Sequence, residues 1–534
     1  MAPVRVAMPF ASCRRITLYQ GHSARFSSSS RQIPPWAQWF KSQPRTMYAT
    51  AGIGALGLGL LLRRGDKEDA DVKDMEALSK VPLGRLVSGW ISFAFCASPT
   101  WVEASETMYN IVSRTPIISS IADTFIIHTF FSQFLGGQTT QECIPKVRQL
   151  RNAQLGTLLG YNIEATLDGS SKDPNLILKQ TESVLESIDV QANLAKEFTG
   201  DAASDPEVDN KCWVRLKITG LLNDPSALEA GSRAILKSRA AQGLDIDVPL
   251  PGLPHDGDWE AALDGDGVTP YHRDQLVRLR ATMEGIISKA RDNNIRVVID
   301  AEQSWYQPVL DALTDEFMQK YNKLGLVEQQ IKRADEKGYK LLYKQVRGAY
   351  IVSEAAWWKK NFGEEGSVVW PTKEDTDASY NSTMEKAISL ITDQVRSNGS
   401  ARFGAVFATH NAHSIDKGIQ LLDKTGFLSP DLKSRLLLLN ENVANSVTFA
   451  QLFGMKDDLT NRITGTVAAS NGLPLVVKSM SYGELSECIP FLSRRANENK
   501  AILSGRGGAL SERKRLGREI QRRLSPFGAR VQKS

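Results

Sequence analysis

The chain has 534 residues, of which 42% are apolar and 23% charged, so it is long enough for one large globular domain with appendages. Its formal net charge of +5 is unevenly distributed: residues 1–65 contain nine Lys and Arg and no acid, which leaves 56 basic and 60 acidic residues over 66–534, a net charge of −4. This balance argues against a body that binds nucleic acid. The five cysteines form no CxxC pair, which argues against a disulfide framework and a structural zinc site.

Residues 1–45 have the composition of a mitochondrial targeting presequence, which is rich in Arg and Ser and poor in acids. The arginines and serines that give this composition are Arg5, Arg14, Arg15, Arg25, Arg31 and the cluster Ser27–Ser30. The alternative is a disordered basic tail. The composition favours targeting, with cleavage somewhere after Arg25, and predicts a mitochondrial protein.

Residues 46–64 form a candidate membrane segment. Thr46–Leu62 is uncharged over 17 residues and is followed by Arg63 and Arg64. This length is at the short end for a bilayer span, so a peripheral or leader-associated segment stays an alternative. The GxGxxG match at Gly52–Gly57 has no strand before it and no acid about 20 residues after it, so it does not indicate a dinucleotide site.

Residues 65–150 are predicted to form a helical arm or cap. Apolar clusters such as Ile117–Leu135 are interrupted by Asp123 and His128, which makes a second membrane span there unfavourable. Further along, Asp256–Gly267 contains five acids but lacks the glycine and glutamate of an EF-hand loop. It is interpreted as a solvated acidic loop.

From residue 151 to about 525 the chain alternates short apolar strands with helical stretches such as Gln275–Asp292. Repeated strand–helix units predict a parallel sheet with helices outside, either doubly wound or closed as a barrel. The predicted strands are Gly156–Glu164, Trp213–Leu221, Arg296–Glu302, Leu341–Tyr350, Gly404–Asn411, Ser446–Leu452 and Leu473–Gly483. No β-rich run separates the helices predicted at Val309–Tyr321 and Leu324–Lys337, so one strand expected of an eight-stranded barrel is missing between residues 320 and 326.

Polar side chains recur where the predicted strands end. They are Lys217, Asp300 with Glu302, Lys344 with Arg347 and Tyr350, and Thr409 with His410. Each alone could be a strand cap or a core residue, but a barrel active site is built from the carboxyl ends of several strands. Their recurrence at the same strand position predicts a site there.

Two adjacent arginines, Arg494 and Arg495, lie in the stretch PFLSRRANEN at Pro490–Asn499. Their planar guanidinium groups match a carboxylate or a phosphate. A solvated helix face is the alternative, because charge runs are usually at the surface.

Taken together and in order, RVVIDAE, VRGAY, TDASYN (Thr376–Asn381), FATHNAHS, FAQLFGM and PFLSRRANEN closely resemble motifs of the mitochondrial proline dehydrogenase family. The resemblance covers roughly residues 130–525. It implies a distorted (β/α)8 TIM-type barrel, an α/β fold, that binds FAD.

The resemblance also implies roles for individual residues. Arg494 and Arg495 match the residues that pair with the substrate carboxylate, and Lys217, Asp300 and Tyr350 match the pocket around the proline ring, where Lys217 and Asp300 could neutralise one another. Lys344 matches the basic residue near flavin N5 and His410 a residue at the flavin ring system. The remaining matches to flavin-binding positions, at the phosphates or sugars, are Arg347, Lys373, Thr376, Thr409 and Glu498.

The implied reaction is hydride transfer from C5 of proline to the flavin, giving 1-pyrroline-5-carboxylate, with electrons passed on to a membrane quinone. The leader and Thr46–Leu62 are consistent with the matrix side of the inner mitochondrial membrane. Alternatives are a non-catalytic, membrane-associated binding protein and a Schiff-base aldolase using Lys217. The aldolase is disfavoured because an acidic neighbour in the family pocket keeps that lysine charged.

The chain departs from the family pattern in two places. The family has a strand ending in Thr-Tyr-Gln, whose glutamine contacts the flavin, between the segments that match RVVIDAE and VRGAY, and this strand is absent here. Ser479, in KSMSYG, stands where many members have a tyrosine against the substrate ring. The smaller, polar serine leaves room near the ring, which makes 4-hydroxyproline an alternative substrate.

Overall fold

The computed structural model describes residues 6–11, 74–162, 174–205, 208–244, 254–321, 340–363, 369–501 and 508–525. The presequence prediction for 1–45, apart from residues 6–11, and the candidate membrane segment 46–64 lie outside these ranges. None of the helices in the described ranges combines the length and the apolar composition needed to span a bilayer.

The predicted helical N-terminal region is confirmed. A short helix over 74–79 is followed by α1 (Leu83–Cys96), α2 (Pro99–Val112), α3 (Pro116–Ile126) and α4 (Thr140–Asn152), with a short π-helical turn at Ile127–Phe131. Pro99 and Pro116 occupy the first turns of α2 and α3, where their missing N–H groups cost no helical hydrogen bond. Thr139 caps α4 by accepting a hydrogen bond from the backbone N–H of Glu142 at 3.3 Å.

The body is a closed barrel of parallel strands in the order β1-β4-β3-β2-β11-β9-β6-β5. The strands are β1 (Val6–Ala11), β2 (Leu155–Tyr161), β3 (Cys212–Leu216), β4 (Arg296–Ile299), β5 (Leu341–Val346), β6 (Phe403–Ala408), β9 (Val447–Leu452) and β11 (Val476–Tyr482). All seven strands predicted after residue 150 are therefore present in the barrel. The barrel prediction is confirmed over the doubly wound alternative.

The eighth strand comes from the N-terminal segment, which the sequence analysis assigned to the presequence. β1 lies between β4 and β5 and pairs with both in parallel, through Val6 and Ala7 on one side and Ala7 to Ala11 on the other. It occupies the place at which the sequence analysis found a strand missing. The stretch 320–326, where that strand was expected, falls mostly in residues 322–339, outside the described ranges.

Inward-pointing side chains fill the middle of the barrel. Successive side chains of a strand point to opposite faces, so each strand contributes every second residue to the interior. One buried cluster consists of Leu158, Trp213, Val298, Leu342, Val406, Ala450 and Val477. Towards the amino ends of the strands, Asp209 accepts from Trp213 Nε1 at 2.7 Å and forms ion pairs with Arg296 at 2.6 Å and Lys211 at 2.9 Å. This end of the barrel is closed by apolar packing and a buried ion cluster.

The larger apolar core lies between the strands and the surrounding helices. These helices are α5 (Pro174–Thr199), α6 (Ser226–Ala241), α7 (Asp258–Asp264), α8 (Pro270–Asp292), α9 (Gln307–Tyr321), α10 (Ile351–Phe362), α11 (Lys373–Asn398), α12 (Ala412–Lys424), α13 (Glu441–Ala444) and α14 (Asp457–Thr466). Short strands β7 (Leu428–Asp431), β8 (Leu436–Leu439) and β10 (Val467–Ala469) form a separate sheet, and α15 (Leu485–Ala501) and α16 (Ala509–Leu524) complete the chain.

The interpretation of 256–267 as a solvated acidic loop is wrong in part. Residues Asp258–Asp264 form α7, and Asp258 is buried in an ion pair with Arg239, whose Nη2 lies 2.5 Å from a carboxylate oxygen. An unpaired charge would be costly there, and Arg239 supplies the partner. Within the described ranges, no group of His, Cys, Asp and Glu side chains is arranged to hold a metal ion.

The helical N-terminal region sits on the carboxyl ends of the barrel strands. The backbone N–H of Gly136 donates to the carbonyl of Ser481 in β11 at 2.7 Å, and Gln133 Nε2 donates to the carbonyl of Gly454 at 2.7 Å. Gly454 has φ of 71°, and a Cβ there would lie 1.8 Å from the carbonyl oxygen of Gln133. The glycine of FAQLFGM therefore lets the cap approach the barrel closely.

Candidate active site at the carboxyl ends of the strands

A layer of polar side chains lies above the buried apolar cluster that fills the barrel, two residues further along the strands. From Trp213, Val298, Leu342 and Val477, a step of two residues along each strand reaches Arg215, Asp300, Lys344 and Ser479. Because side chains two apart share a face, the same inward direction that fills the barrel brings these side chains together at its carboxyl end. The predicted position of the site is therefore where polar side chains converge.

Asp300 forms the centre of this layer. Its carboxylate is ion-paired with the ammonium of Lys344, and Arg215 Nε lies 3.8 Å from its second oxygen. Burial alone would raise the pKa of Asp300, but the charges of Lys344 and Arg215 outweigh burial and hold that pKa below its usual value. Asp300 is thus a carboxylate at neutral pH, with Lys344 and Arg215 as ion-pair partners and the charge of Lys217 also lowering its pKa.

Arg215 is a site residue that the sequence analysis did not single out. Its Nη2 donates to Ser481 Oγ at 3.0 Å and its Nη1 to Ser479 Oγ at 3.4 Å, so it links Asp300 to β11 across the barrel. The signal was present in the alternation of WVRLKI, in which Trp213, Arg215 and Lys217 share one face. Arg215 was missed because it lies two residues before Lys217, the polar residue at the end of the predicted strand.

Lys217, Tyr350 and Glu302 form a second group at the same rim. Lys217 Nζ lies 5.8 Å from the centre of the Tyr350 ring. Glu302 accepts hydrogen bonds from the backbone N–H of Thr219 at 2.9 Å and from its hydroxyl at 2.5 Å. Burial raises the pKa of Glu302, and also that of Tyr350, with the cation of Lys217 opposing both shifts. Tyr350 has φ of 57° and is the N-cap residue of α10, so VRGAY makes a left-handed turn directly before this helix.

Arg347 organises a third group beyond the end of β5. Its guanidinium donates to Asp377 at 2.7 Å, Thr409 at 2.8 Å and Ser414 at 3.1 Å, and it stacks over the Tyr380 ring at 4.4 Å. These contacts connect VRGAY, TDASYN and FATHNAHS. The three motifs that are far apart in sequence therefore meet around one cation.

Lys373 and Thr376 lie in the first turn of α11. Thr372 caps this helix by accepting from the N–H of Asp375 at 3.1 Å, and Lys373 forms an ion pair with Asp377 at 2.5 Å. Lys373 is exposed, whereas Thr376 donates to the carbonyl of Thr372 at 3.0 Å. Through Asp377, the start of α11 is joined to Arg347.

His410 is held as a neutral imidazole. Its Nε2 accepts a hydrogen bond from the backbone N–H of Leu452 at 3.0 Å, so the proton resides on Nδ1. Burial, followed by the positive charges of Lys478 and Arg495, lowers the pKa of His410 to about 3. A ring that stays neutral can donate from Nδ1 throughout the physiological range.

The arginine pair lies on α15. Arg495 is half-buried, its guanidinium lies 4.9 Å from the Phe491 ring centre, and its charge acts on His410. Arg494 is exposed on the same helix. The structure thus brings Arg495 to the rim, while Arg494 faces outward. Glu498 belongs to α15, but its side chain is outside the described part of the structure.

A surface cleft on the outer helices is separate from this site. It is lined by α7, α8 and α9, and includes His255, Trp259, Arg280 and Glu316. Arg280 and Glu316 are ion-paired with each other across it. None of the predicted site residues lines this cleft, so the chemistry predicted from the sequence belongs to the barrel rim.

Comparison with known proteins gives one family. The family model described as "Proline dehydrogenase" matches residues 143–506, which is more than half of the chain. Among curated relatives, proline dehydrogenase 1, mitochondrial, of Dictyostelium discoideum is 26% identical over 467 residues, covering 83% of this chain and 73% of the relative. Hydroxyproline dehydrogenase of Xenopus laevis is 25% identical over 454 residues, covering 82% of this chain and 86% of the relative.

A solved structure supports the fold. Proline utilization A from Bdellovibrio bacteriovorus matches with a TM-score of 0.52 at 14% identity, over 82% of this chain and 41% of that chain. This chain therefore spans less than half of that solved protein.

Proposed function

The chain belongs to the proline dehydrogenase family, and on that premise we propose that it oxidises L-proline to 1-pyrroline-5-carboxylate with FAD as cofactor. The observation that carries the proposal is the ordered charge layer at the barrel rim, in which Asp300 fixes Lys344 and Arg215. A cluster of fixed charges around an opening in an apolar barrel is suited to orienting a small zwitterion.

The residues of the rim fit a flavin nucleotide. The phosphates of FAD require cations and helix N–H groups, which Arg347, Lys373 and the first turn of α11 with Thr376 offer together. Thr409 and Glu498 are proposed to contact the sugar or phosphates, and His410 the ring system. Bound FAD supplies the two-electron redox chemistry that side chains lack.

Lys344 and His410 set the electrostatics next to the reacting atoms in this proposal. The ammonium of Lys344 is fixed by Asp300 and is suited to offsetting negative charge that develops near it during oxidation. His410 stays neutral because of burial and nearby cations, so its Nδ1–H serves as a hydrogen-bond donor without a full charge.

The substrate would be held at its carboxylate and around its ring. Arg495, together with Arg494, pairs with the carboxylate, and this requires Arg494 to turn inward from its exposed position. Tyr350, Lys217 and Ser479 surround the ring. Oxidation removes a hydride from C5 and a proton from the ring nitrogen, and a C=N bond forms. Excluding water and fixing the ring are the contributions of these side chains.

A second candidate substrate is 4-hydroxyproline. Ser479 is at the rim and its hydroxyl accepts from Arg215, so a polar group faces the space near the substrate ring. Curated relatives at 25–26% identity include both a proline and a hydroxyproline dehydrogenase, so overall identity does not choose between them. A hydroxyl on the substrate would find hydrogen-bond partners at Ser479.

The proposed setting is the mitochondrion, at the matrix side of the inner membrane, with a quinone as electron acceptor. Relatives named mitochondrial support the organelle. Residues 1–45 as a presequence and 46–64 as a membrane segment remain parts of this proposal.

Steady-state assays of the purified, FAD-supplemented chain with a soluble quinone test the function. We expect turnover with L-proline at a higher kcat/KM than with 4-hydroxyproline. A clear preference for hydroxyproline would replace the first substrate by the second. A chain that retains no flavin absorbance after FAD addition, and turns over neither, would instead be the non-catalytic binding protein.

A further inference from the structure

The helices α2 and α3 expose an apolar surface, here called the cap patch. Its seven side chains, each at least two-fifths exposed, are Trp101 (49%), Met108 (41%), Ile111 (62%), Ile117 (77%), Ile118 (52%), Ile121 (68%) and Phe125 (43%). In α3 the spacing of 117, 118, 121 and 125 puts them on one helix face. Large exposed apolar patches of this kind mark interaction surfaces.

Two aromatic residues of the cap patch pack against α1 on the buried side of the patch. Phe95 of α1 contacts Trp101 edge-on at 5.3 Å and Phe125 at 5.8 Å between ring centres. Trp101 of α2 and Phe125 of α3 therefore pack against the same ring of α1, which joins the two helices at the patch. The ionisable residue of α3, Asp123, accepts a hydrogen bond from Tyr109 at 3.2 Å.

Basic side chains lie beside the cap on α16, which packs along α1. Ala509–Leu524 contains six Lys and Arg against two acids, Glu512 and Glu519, and both acids are buried. Arg513 stacks on Trp90 of α1 at 5.0 Å, and Lys514 and Arg518 are exposed. An apolar surface and exposed cations on helices of the same cap are together complementary to a bilayer with anionic headgroups.

The cap patch is also connected to the barrel rim. Helix α2, which carries Trp101, Met108 and Ile111, packs against α15, the helix of the arginine pair. A surface that rests on a membrane through α2 would hold the rim close to that membrane. A short, apolar helix pair of this kind lies in the headgroup region without crossing it.

We propose that the cap patch is a docking surface for an anionic lipid bilayer, into which α2 and α3 insert their apolar faces while α16 contacts the headgroups. The role of this docking rests on the proposed function, since a protein docked through the cap patch can pass electrons from its flavin to a quinone dissolved in the bilayer. The occupant is the lipid surface, rather than residues 46–62 of the same chain or a second copy.

A probe at the patch tests this without any enzyme assay. Ile118→Cys in the full, FAD-supplemented chain is labelled with an environment-sensitive fluorophore and mixed with vesicles of phosphatidylcholine and phosphatidylglycerol. Leu432→Cys, at a side chain 92% exposed next to the small sheet, is the matched control. The unsubstituted chain, labelled alike, gives the background, including any label on Cys13, which lies outside the described residues. The other four cysteines, Cys96, Cys143, Cys212 and Cys488, are buried.

We expect the Ile118 probe to shift to the blue and to be quenched by lipids carrying a quencher in the acyl chain, and the Leu432 probe to do neither. A vesicle-bound chain whose Ile118 probe stays in water would overturn the proposal and assign binding to another segment, such as 46–62. A probe that is already in an apolar environment without vesicles would also overturn it, since the patch is then covered by the chain itself or by a second copy.

Substitution gives an independent check. The double variant Ile117→Ser, Ile121→Ser should weaken binding to anionic vesicles several-fold, while Leu432→Ser leaves it unchanged; equal binding by both contradicts the proposal. Turnover with a soluble quinone should be the same in all three chains. Loss of turnover throughout, with the probe shift intact, would refute the proposed function and leave the docking surface standing.

Discussion

Arg215 is the side chain on which the charge layer of the rim depends. It is the second cation of Asp300 and it also bonds Ser479 and Ser481, so one residue spans three strands. Lys344 occupies the other oxygen of Asp300 and lies on the side of the rim that leads to Arg347. The two cations therefore fix one carboxylate from opposite sides and keep it ionised.

Replacing this residue should affect both stability and catalysis. Arg215→Met removes one of the cations that stabilise the Asp300 carboxylate, so we expect the free energy of unfolding to fall by about 1–3 kcal/mol and turnover to drop at least about tenfold. Arg148→Met is the matched control, because Arg148 forms an exposed pair with Glu197 at 2.8 Å, and it should leave the free energy of unfolding nearly unchanged. Chemical denaturation measures the free energy of unfolding, and steady-state assays measure turnover. Equal effects of Arg215→Met and Arg148→Met on these two quantities would show that Arg215 is not part of the site.

Substitutions in the arginine pair should weaken substrate binding without changing the amount of bound flavin. We expect Arg494→Met and Arg495→Met each to raise KM for proline roughly 10- to 100-fold, the loss of a charge-assisted hydrogen bond to a carboxylate, with flavin content largely retained. Flavin absorbance per chain and KM are the measurements. An unchanged KM in either variant would show that the substituted arginine does not bind the substrate carboxylate.

His410 predicts a specific loss of stability in acid. The unfolded chain protonates this histidine near pH 6.5, whereas the folded chain does so only at a pKa of about 3. Protons therefore favour the unfolded state, and the stabilisation is present above pH 6.5 and lost as the pH falls towards 3. It should amount to roughly 1–2 kcal/mol between pH 7 and pH 5.

His410→Gln isolates this effect, because the amide oxygen of glutamine can accept from Leu452 but does not titrate. Unfolding free energies of the two chains measured at pH 7 and pH 5 should show the acid loss to be smaller in the variant. Identical losses would mean that His410 is not buried as a neutral ring.

At the scale of elements, the strands after residue 150 were predictable because their sequences are short apolar runs that end in polar residues. The polar side chains predicted at the strand ends do converge at one rim. They include Lys217, Asp300, Lys344 and Thr409. Arg215 was missed because it precedes the strand end by one alternate position. β1 was missed because its residues lie in a segment whose basic, acid-free composition is typical of a presequence, and strand pairing over some 290 residues leaves no local signal.

β1 has the shortest pairing of the barrel on its β4 side. It has only two registered residues against β4, compared with five against β5, and Pro9 cannot donate to the ladder. It nevertheless covers two strand edges that would otherwise be unpaired.

Deleting residues 1–11 should therefore lower the Tm of the flavin-loaded chain by a few degrees, of the order expected for about 1–2 kcal/mol. Ala2→Pro, outside β1, is the control and should leave the Tm unchanged. A deletion that melts with the full chain would show that β4 and β5 do not depend on β1.

At the scale of the molecule, the cap and the barrel rim form one functional unit. Gly454 and Ser481 receive the cap on the carboxyl ends of β9 and β11, and α15 carries Arg495 to His410 from the same side. The cap packs beside the rim at which substrate and flavin would meet in the proposed function, and it exposes the cap patch. Catalysis, shielding from water and the proposed membrane contact thus involve the same helices.

The proposed reaction predicts that substrate reduces a flavin bound to this chain. The direct measurement is the absorbance spectrum of the purified, FAD-supplemented protein, recorded without oxygen before and after L-proline is added, with Arg215→Met as the comparison. We predict a bound-flavin spectrum that L-proline bleaches, more slowly in the variant. A chain that binds no flavin, or a bound flavin that neither L-proline nor 4-hydroxyproline bleaches, would contradict the assignment.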